Sequence, residues 1–230
     1  MLIKNWMRKD VVTISSDMLA SEAKKIFDSS NHRFLPVVDN GKLKGILARR
    51  DLWEAASFVA ASQDANEMDF FNTKLKVKDI MVRMPITLEI NDTVEKALVL
   101  GARFARSFFP VMDGDKVVGT VSDMDIYEAF YRILGIDERL AGVTFRLGKS
   151  YGSSAKIILE NMLSNGIEIH SAFMLRMPDS DDRRFTVRFE LSKMKRVLEI
   201  AKQEKYEIIE TVSPELYHQN ISGTIHGILK

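Results

Sequence analysis

Two short stretches carry residue types at a spacing that chemistry can use. "GILARRD" spans Gly45 to Asp51 and "GTVSDMD" spans Gly119 to Asp125, so each places an aspartate six residues after a glycine. The second adds a hydroxyl at Ser122, where the first has Ala48. An ionised carboxylate has about four lone-pair sites, enough to accept two hydrogen bonds from a diol, and a hydroxyl beside the first N–H groups of a helix can face an anion. The same aspartates have a plainer use. Asp51-x-x-Glu54 and Asp125-x-x-Glu128 also have the spacing of a helix cap, with the helices opening at Asp51 and Asp125. Ligand contact and capping alone are both open on these residues.

Other chemistry is thinly represented. The four histidines, His32, His170, His218 and His226, lack metal-ligand spacing, and without cysteine there is no thiolate metal site and no disulfide. "GKS" at Gly148–Ser150 follows Gly142 by five intervening residues where a phosphate loop requires four. No nucleophile elbow or HExxH motif occurs, so the expectation is a protein with no catalytic residues and no metal. Its 33 basic and 32 acidic side chains nearly cancel, which gives no bulk charge for nucleic acid. Charges appear early in "MLIKNWMRKD", and no apolar run approaches the roughly 20 residues that span a bilayer. These features read as cytoplasmic, with no membrane partner. Arg49 and Arg50 read as solvated surface charges.

The elements that must position the two aspartates form a repeat. Residues 1–60 align without a gap on residues 75–134, with thirteen identities in sixty pairs, against roughly three or four for random pairing. Each copy reads as β-α-β-β-α. An extended "VVTI" or "PITL" precedes a helix beginning near Asp17 or Asp92, and Asp92 and Glu95 have capping-box spacing. Two β-rich runs follow, joined by Asn40-Gly41 in one copy and Gly114-Asp115 in the other, which are hairpin signals. Pro36 and Pro110 fix φ at the mouth of a strand. One copy leaves a sheet face uncovered, and two packed together bury it. Residues 61–74 form a connector that prolongs the preceding helix and then loops.

The repeated "FLPVVDNGKLKGILARRDL" and "FFPVMDGDKVVGTVSDMDI", with "VKDIMVRMPITL", resemble a tandem pair of cystathionine-β-synthase (CBS) domains, a Bateman module, over about residues 1–134. The resemblance implies a regulatory ligand containing adenosine (AMP, ADP, ATP or another adenosyl compound) held between the copies, and a regulated partner protein that reads the bound state. On that pattern the main site comprises Gly119, Thr120, Val121, Ser122 and Asp125, with Asp125 on the ribose and Thr13, His32 and Arg33 on the opposite wall. The quasi-symmetric site comprises Ile46, Ala48, Asp51, Thr87, Arg106 and Ser107. Ala48 removes its hydroxyl, so this second site is expected to be weaker or suited to another ligand.

From Val143 the pattern changes. "VTFRL" reads as a strand, and Ser153 to Ser164 as a helix ended by Asn165-Gly166. Ile167 to Met177 and Phe185 to Leu191 then alternate as strands around the turn "PDSDD". Ser192 starts a helix with Met194, Val197, Leu198 and Ala201 inward, and "YEIIETV" closes a ferredoxin-like βαββαβ order. This order and "GSSAKIILENMLSNGIEIHSAF" resemble an ACT domain over residues 140–213. That likeness implies a homodimer interface or an amino-acid site, although Lys149 and Tyr151-Gly152 stand where the family carries an acidic residue and Pro-Gly. Residues 214–230 form a tail. A CBS pair followed by an ACT-like domain resembles the acetoin-utilisation B family. The fold class expected is therefore α/β (α+β), and the function expected is non-enzymatic regulation, with a ligand-free scaffold or a nucleotide hydrolase as alternatives.

Overall fold

The structure, a computed structural model, describes residues 1–215 apart from 63, 137, 139, 149, 150 and 179. Lys149, part of the "PDSDD" turn and the tail from 216 onward lie outside the described residues. The chain forms two compact units, Met1–Tyr127 and the residues from Glu128 onward. The break falls inside a helix, several residues before the 134–140 boundary expected from the repeat.

The first unit begins with a single 3-10 turn, Ile3–Asn5. There follow α1 (Ala20–Asp28), β1 (Phe34–Asp39), β2 (Lys42–Ala48), α2 (Arg49–Ser62), α3 (Ala65–Thr73), α4 (Val77–Ile80), β3 (Val82–Arg83), β4 (Leu88–Glu89), α5 (Val94–Phe104), β5 (Phe108–Asp113), β6 (Lys116–Ser122) and α6 (Asp123–Ile133). Two three-stranded sheets result, β1-β2-β3 and β4-β5-β6. The Asn40-Gly41 turn has φ of 51° and 75°, as a two-residue hairpin loop of the primed type requires. Even the irregularities repeat: β1 bulges between Val37 and Val38, and β5 bulges at the equivalent Val111 and Met112.

The opening segment of each copy is exchanged. Ile3 is fully buried in the core built from Leu88, Val94, Phe109 and Val121 of the second copy. Arg8 bridges Thr120 in antiparallel fashion. Reciprocally, Val77 is buried in the core of Phe27, Leu35, Leu47 and Leu52, and Val82 pairs with Ile46. Complete burial of such side chains stabilises by about 1.5–3 kcal/mol each, so the exchange ties the two copies together.

Four local expectations are corrected. "VVTI" yields only an isolated parallel bridge, Ile14 to Val37, where the second copy has β4. The helices expected near Asp17 and Asp92 begin at Ala20 and Val94. Asp17 is held by Lys76 and Lys78 instead, and Asp92 accepts from Glu89 N at 2.7 Å, while Thr93 caps α5 by accepting from Lys96 N. The connector does prolong α2, to Ser62, but where a loop was expected it forms α3, which Asp64 caps by accepting from Asn66 N at 2.7 Å. Finally, α2 and α6 open at Arg49 and Asp123, two residues before the expected aspartates.

The second unit contains β7 (Ala141–Leu147), α7 (Tyr151–Ser164), β8 (Ser171–Arg176), β9 (Arg183–Phe189), α8 (Met194–Gln203) and β10 (Ile208–Val212). Its antiparallel sheet has the order β10-β7-β9-β8, and α7 and α8 contribute Ile158, Met162, Val197, Ile200 and Ala201 to one core with Val143, Phe145 and Val187. The βαββαβ order stands. Leu198, expected inward, is 39% exposed, and Ile200 takes the inward place. Gly166 ends α7 with φ of 71°.

Candidate functional site

The pseudo-symmetric repeat creates two comparable ends within the first unit, meeting where the Phe34 and Phe108 rings stack at 4.8 Å. At one end α6 begins immediately after Ser122, so Asp125 is the third helical residue and reaches back rather than forming the N-cap. Its Oδ2 accepts from Ser122 N at 2.7 Å and from Ser122 Oγ at 2.6 Å. Its Oδ1 accepts from Arg8 Nε at 2.9 Å. Asp125 is buried, and its hydrogen bond and charge hold the Arg8 guanidinium above its ordinary pKa. Arg33 pairs with Asp123 on the same helix turn. The cap expected from Asp125-x-x-Glu128 is thus a Ser122–Asp125 pair, and Glu128 instead accepts from Arg132 Nε at 3.0 Å.

Of the other residues expected at this end, Gly119 and Val121 are buried in β6 and Thr120 is half-buried. A Cβ on Gly119 would stand 2.5 Å from Met7 Sδ, so the glycine admits the exchanged N-terminal segment. Thr13 is exposed, and His32 is half-buried, its carbonyl accepting from Arg49 Nε at 2.9 Å.

At the other end lies a cavity of about 610 Å³. Ile46, Ala48 and Asp51 line it from the first copy, and Arg106 and Ser107 from the second. Five of the six residues expected at the weaker site are thereby brought together. Thr87 follows Ile86, which lines the cavity, but Thr87 itself does not. The volume falls within the range of small-ligand sites, about 300–1,000 Å³.

Sequence reasoning missed much of this lining. Val82, Pro85 and Ile86 supply apolar surface, and Arg49 and Arg50 join Arg106 on the lining together with Arg33, which was expected at the Asp125 end and is paired with Asp123. Arg49 is no solvated charge: it also donates to the carbonyl oxygens of Phe27 and Ser30, anchoring the start of α2. Arg50 does project into solvent, with Nε 3.5 Å from Asp51 and 3.7 Å from Glu54. Arg106 has no ion-pair partner among the described residues, and Ser107 is half-buried. A usable signal lay in the repeat itself: Val82 is the counterpart of Arg8, a mismatched pair at the centre of each end.

The chemistry this cavity offers is polar at one side and apolar at the other. Asp51 can accept from a diol, and Arg50, Arg106 and Ser107 can donate to an anion. Val82, Pro85 and Ile86 can cover a planar apolar face. Among the described residues no cluster of three or more histidines and acids could hold a metal ion, and no helix is long and apolar enough to cross a membrane.

Comparison with known proteins assigns the class. The CBS domain model matches residues 3–52 and 77–132, one match in each copy of the repeat. A CBS domain-containing protein of Dictyostelium discoideum is 32% identical over 136 residues, covering 58% of this chain and 93% of the relative. The chain therefore belongs to the CBS domain proteins. Inosine-5'-monophosphate dehydrogenase of Korarchaeum cryptofilum is 30% identical over 130 residues, 56% of this chain, and the match spans only 24% of the dehydrogenase. The solved CBS domain pair of protein MJ0100, in complex with 5'-methylthioadenosine and S-adenosyl-L-methionine, is 30% identical with a TM-score of 0.48, covering 56% of this chain and 95% of that one.

Proposed function

We propose that this chain is a non-enzymatic regulatory protein that binds an adenine nucleotide (AMP, ADP or ATP) in the cavity beside Asp51. One observation carries the reading: a carboxylate suited to a ribose diol shares a 610 Å³ cavity with four arginines and an apolar wall. Asp51 takes the diol, and Arg50, Arg106 and Ser107 take the phosphates. Ile46, Val82, Pro85 and Ile86 cover the base. Arg106, without an ion-pair partner among the described residues, and the exposed Arg50 favour phosphorylated ligands over a cationic sulfonium compound, so S-adenosylmethionine ranks below ADP and ATP. Because the cavity is lined from both copies, a bound nucleotide favours one arrangement of the pair by its differential affinity, and a partner protein reads that arrangement.

The second unit, which resembles an ACT domain, joins two copies of the chain. Its edge strand β8 exposes Met174 and Leu175 beside main-chain groups suited to strand pairing. Light scattering on the full chain tests this, and a monomer at micromolar concentration removes it.

Thermal unfolding with AMP, ADP, ATP, S-adenosylmethionine and NAD tests the nucleotide reading. A ligand at about 100 times its Kd stabilises by about 2.7 kcal/mol, or roughly 5–10 °C for a chain of this size. A saturable shift with nucleotides that weakens with salt is expected. No shift with any of these compounds would leave a ligand-free scaffold as the better account.

A further inference from the structure

The two ends of the CBS pair are built from equivalent positions, yet at one the aspartate accepts a hydrogen bond from a guanidinium of the exchanged opening segment, while at the other it lines a cavity with only Arg50 of its own helix nearby, at 3.5 Å. The exchange of Ser122 for Ala48 does not by itself produce this difference, because Ser122 engages only one oxygen of Asp125. The other oxygen is taken by Arg8. At the open end the position equivalent to Arg8 is Val82, which pairs with Ile46 as Arg8 pairs with Thr120.

We propose that Arg8 is a built-in plug that silences the Asp125 site, so that each chain takes up one nucleotide, at Asp51, and that the choice between the sites is made by the Arg8 and Val82 pair. This rests on the nucleotide reading of the Asp51 cavity. Arg8 is placed by its main chain, whose N–H donates to Thr120 O at 2.9 Å and whose carbonyl accepts from Thr120 N at 3.0 Å. From that anchor its side chain reaches Asp125 Oδ1, the oxygen a ribose diol would need. A charge-assisted bond to a buried carboxylate must be broken before a sugar can enter. Arg33, which would otherwise be free to meet phosphate at this end, is engaged by Asp123. Val82 has neither the length nor the charge to reach Asp51, and it forms part of the cavity wall instead.

The plug is removable without damage to the core. The Arg8 side chain is 62% exposed, and the Ser122 cap on Asp125 does not depend on it. Arg8→Val therefore makes the closed end resemble the open one, and Val82→Arg makes the converse change.

The test is calorimetric titration of the full-length chain with AMP and with ADP, in wild type, Arg8→Val, Arg8→Lys and Val82→Arg, with folding checked by circular dichroism. Wild type and Arg8→Lys are expected to bind one nucleotide per chain, Arg8→Val two, and Val82→Arg none. The additional site in Arg8→Val should vanish when Asp125→Asn is added. A folded Arg8→Val that still binds one, or a wild type that binds two, overturns the plug while the nucleotide reading survives. Binding by Arg8→Val alone, lost with Asp125→Asn, upholds the plug and removes the Asp51 site. No binding by any variant overturns both.

Discussion

Asp51 and Asp125 are equivalent in sequence, and the proposed nucleotide site gives them opposite consequences on replacement. In Asp51→Ala, a nucleotide bound as proposed loses an acceptor that takes two hydroxyl donors. Hydrogen bonds to a charged group contribute about 1.5–3 kcal/mol each, and the Asp51 side chain is 28% exposed, so the pair together is placed at about 2–3 kcal/mol. That corresponds to about a 30- to 140-fold rise in Kd. Stability should change little, because an acid in the first helical turn contributes about 0.3–1 kcal/mol. Asp125→Ala does the reverse. It removes the cap on Ser122 and leaves Arg8 without its partner, at a cost of about 1–3 kcal/mol in stability, while ADP affinity at the other end stays within about twofold of wild type. Titration calorimetry gives the affinities, and urea unfolding gives the stabilities. An Asp51→Ala protein that binds ADP like wild type, beside an Asp125→Ala protein that has lost it, would refute the reasoning and return the principal site to the Ser122 copy.

Two further outcomes start from the frame. A Cβ on Gly45 would lie 2.6 Å from the Val82 carbonyl oxygen, a backbone atom fixed in the sheet, whereas on Gly119 the nearest atom is the Met7 thioether sulfur. Gly45→Ala should therefore cost about 1–3 kcal/mol and weaken nucleotide binding by displacing Val82, and Gly119→Ala should cost less; urea unfolding of the two variants compares them. Hydrogen bonds from Lys78 and then Lys76 lower the Asp17 pKa to about 2. A carboxylate whose folded pKa is depressed stabilises above its ordinary value and loses that contribution as the pH falls toward 2. Between pH 4 and pH 2 the melting temperature of wild type should fall further than that of Asp17→Asn, and equal falls would remove Asp17 from the account.

Much of the first unit was legible because turns and buried positions constrain sequence tightly. Asn40-Gly41 carries the two positive φ values of its hairpin, and Gly45 and Gly119 stand where the exchanged segment leaves no room for a side chain. Alternation in Phe185, Val187 and Phe189 likewise marked β9 correctly. Helix starts were misjudged because an aspartate serves equally well as an N-cap and as a third-residue acid reaching back. Only the tertiary partners of Asp17, Asp92 and Asp125 decide between those uses.

Five residues expected at the Asp51 end do line one cavity, whereas the ranking of the two ends proposed above rests on contacts the linear sequence does not display, for a reason that lies in how the copies exchange segments. Identities in a repeat report what both copies need in common, which is the shared frame. A difference in function between the copies must reside at the mismatches, and Ser122 opposite Ala48 was the mismatch nearest the motif. Arg8 opposite Val82 lies some forty residues away from the motif of its own copy, and nothing in the linear sequence shows that it acts on the other. The bridge from Arg8 to Thr120 supplies that information, since it carries a charge from the first copy onto the aspartate of the second. Reading any such exchanged repeat, the opening segment of each copy belongs with the motif of its partner, and the mismatches there are the first places to look for an unequal pair of sites.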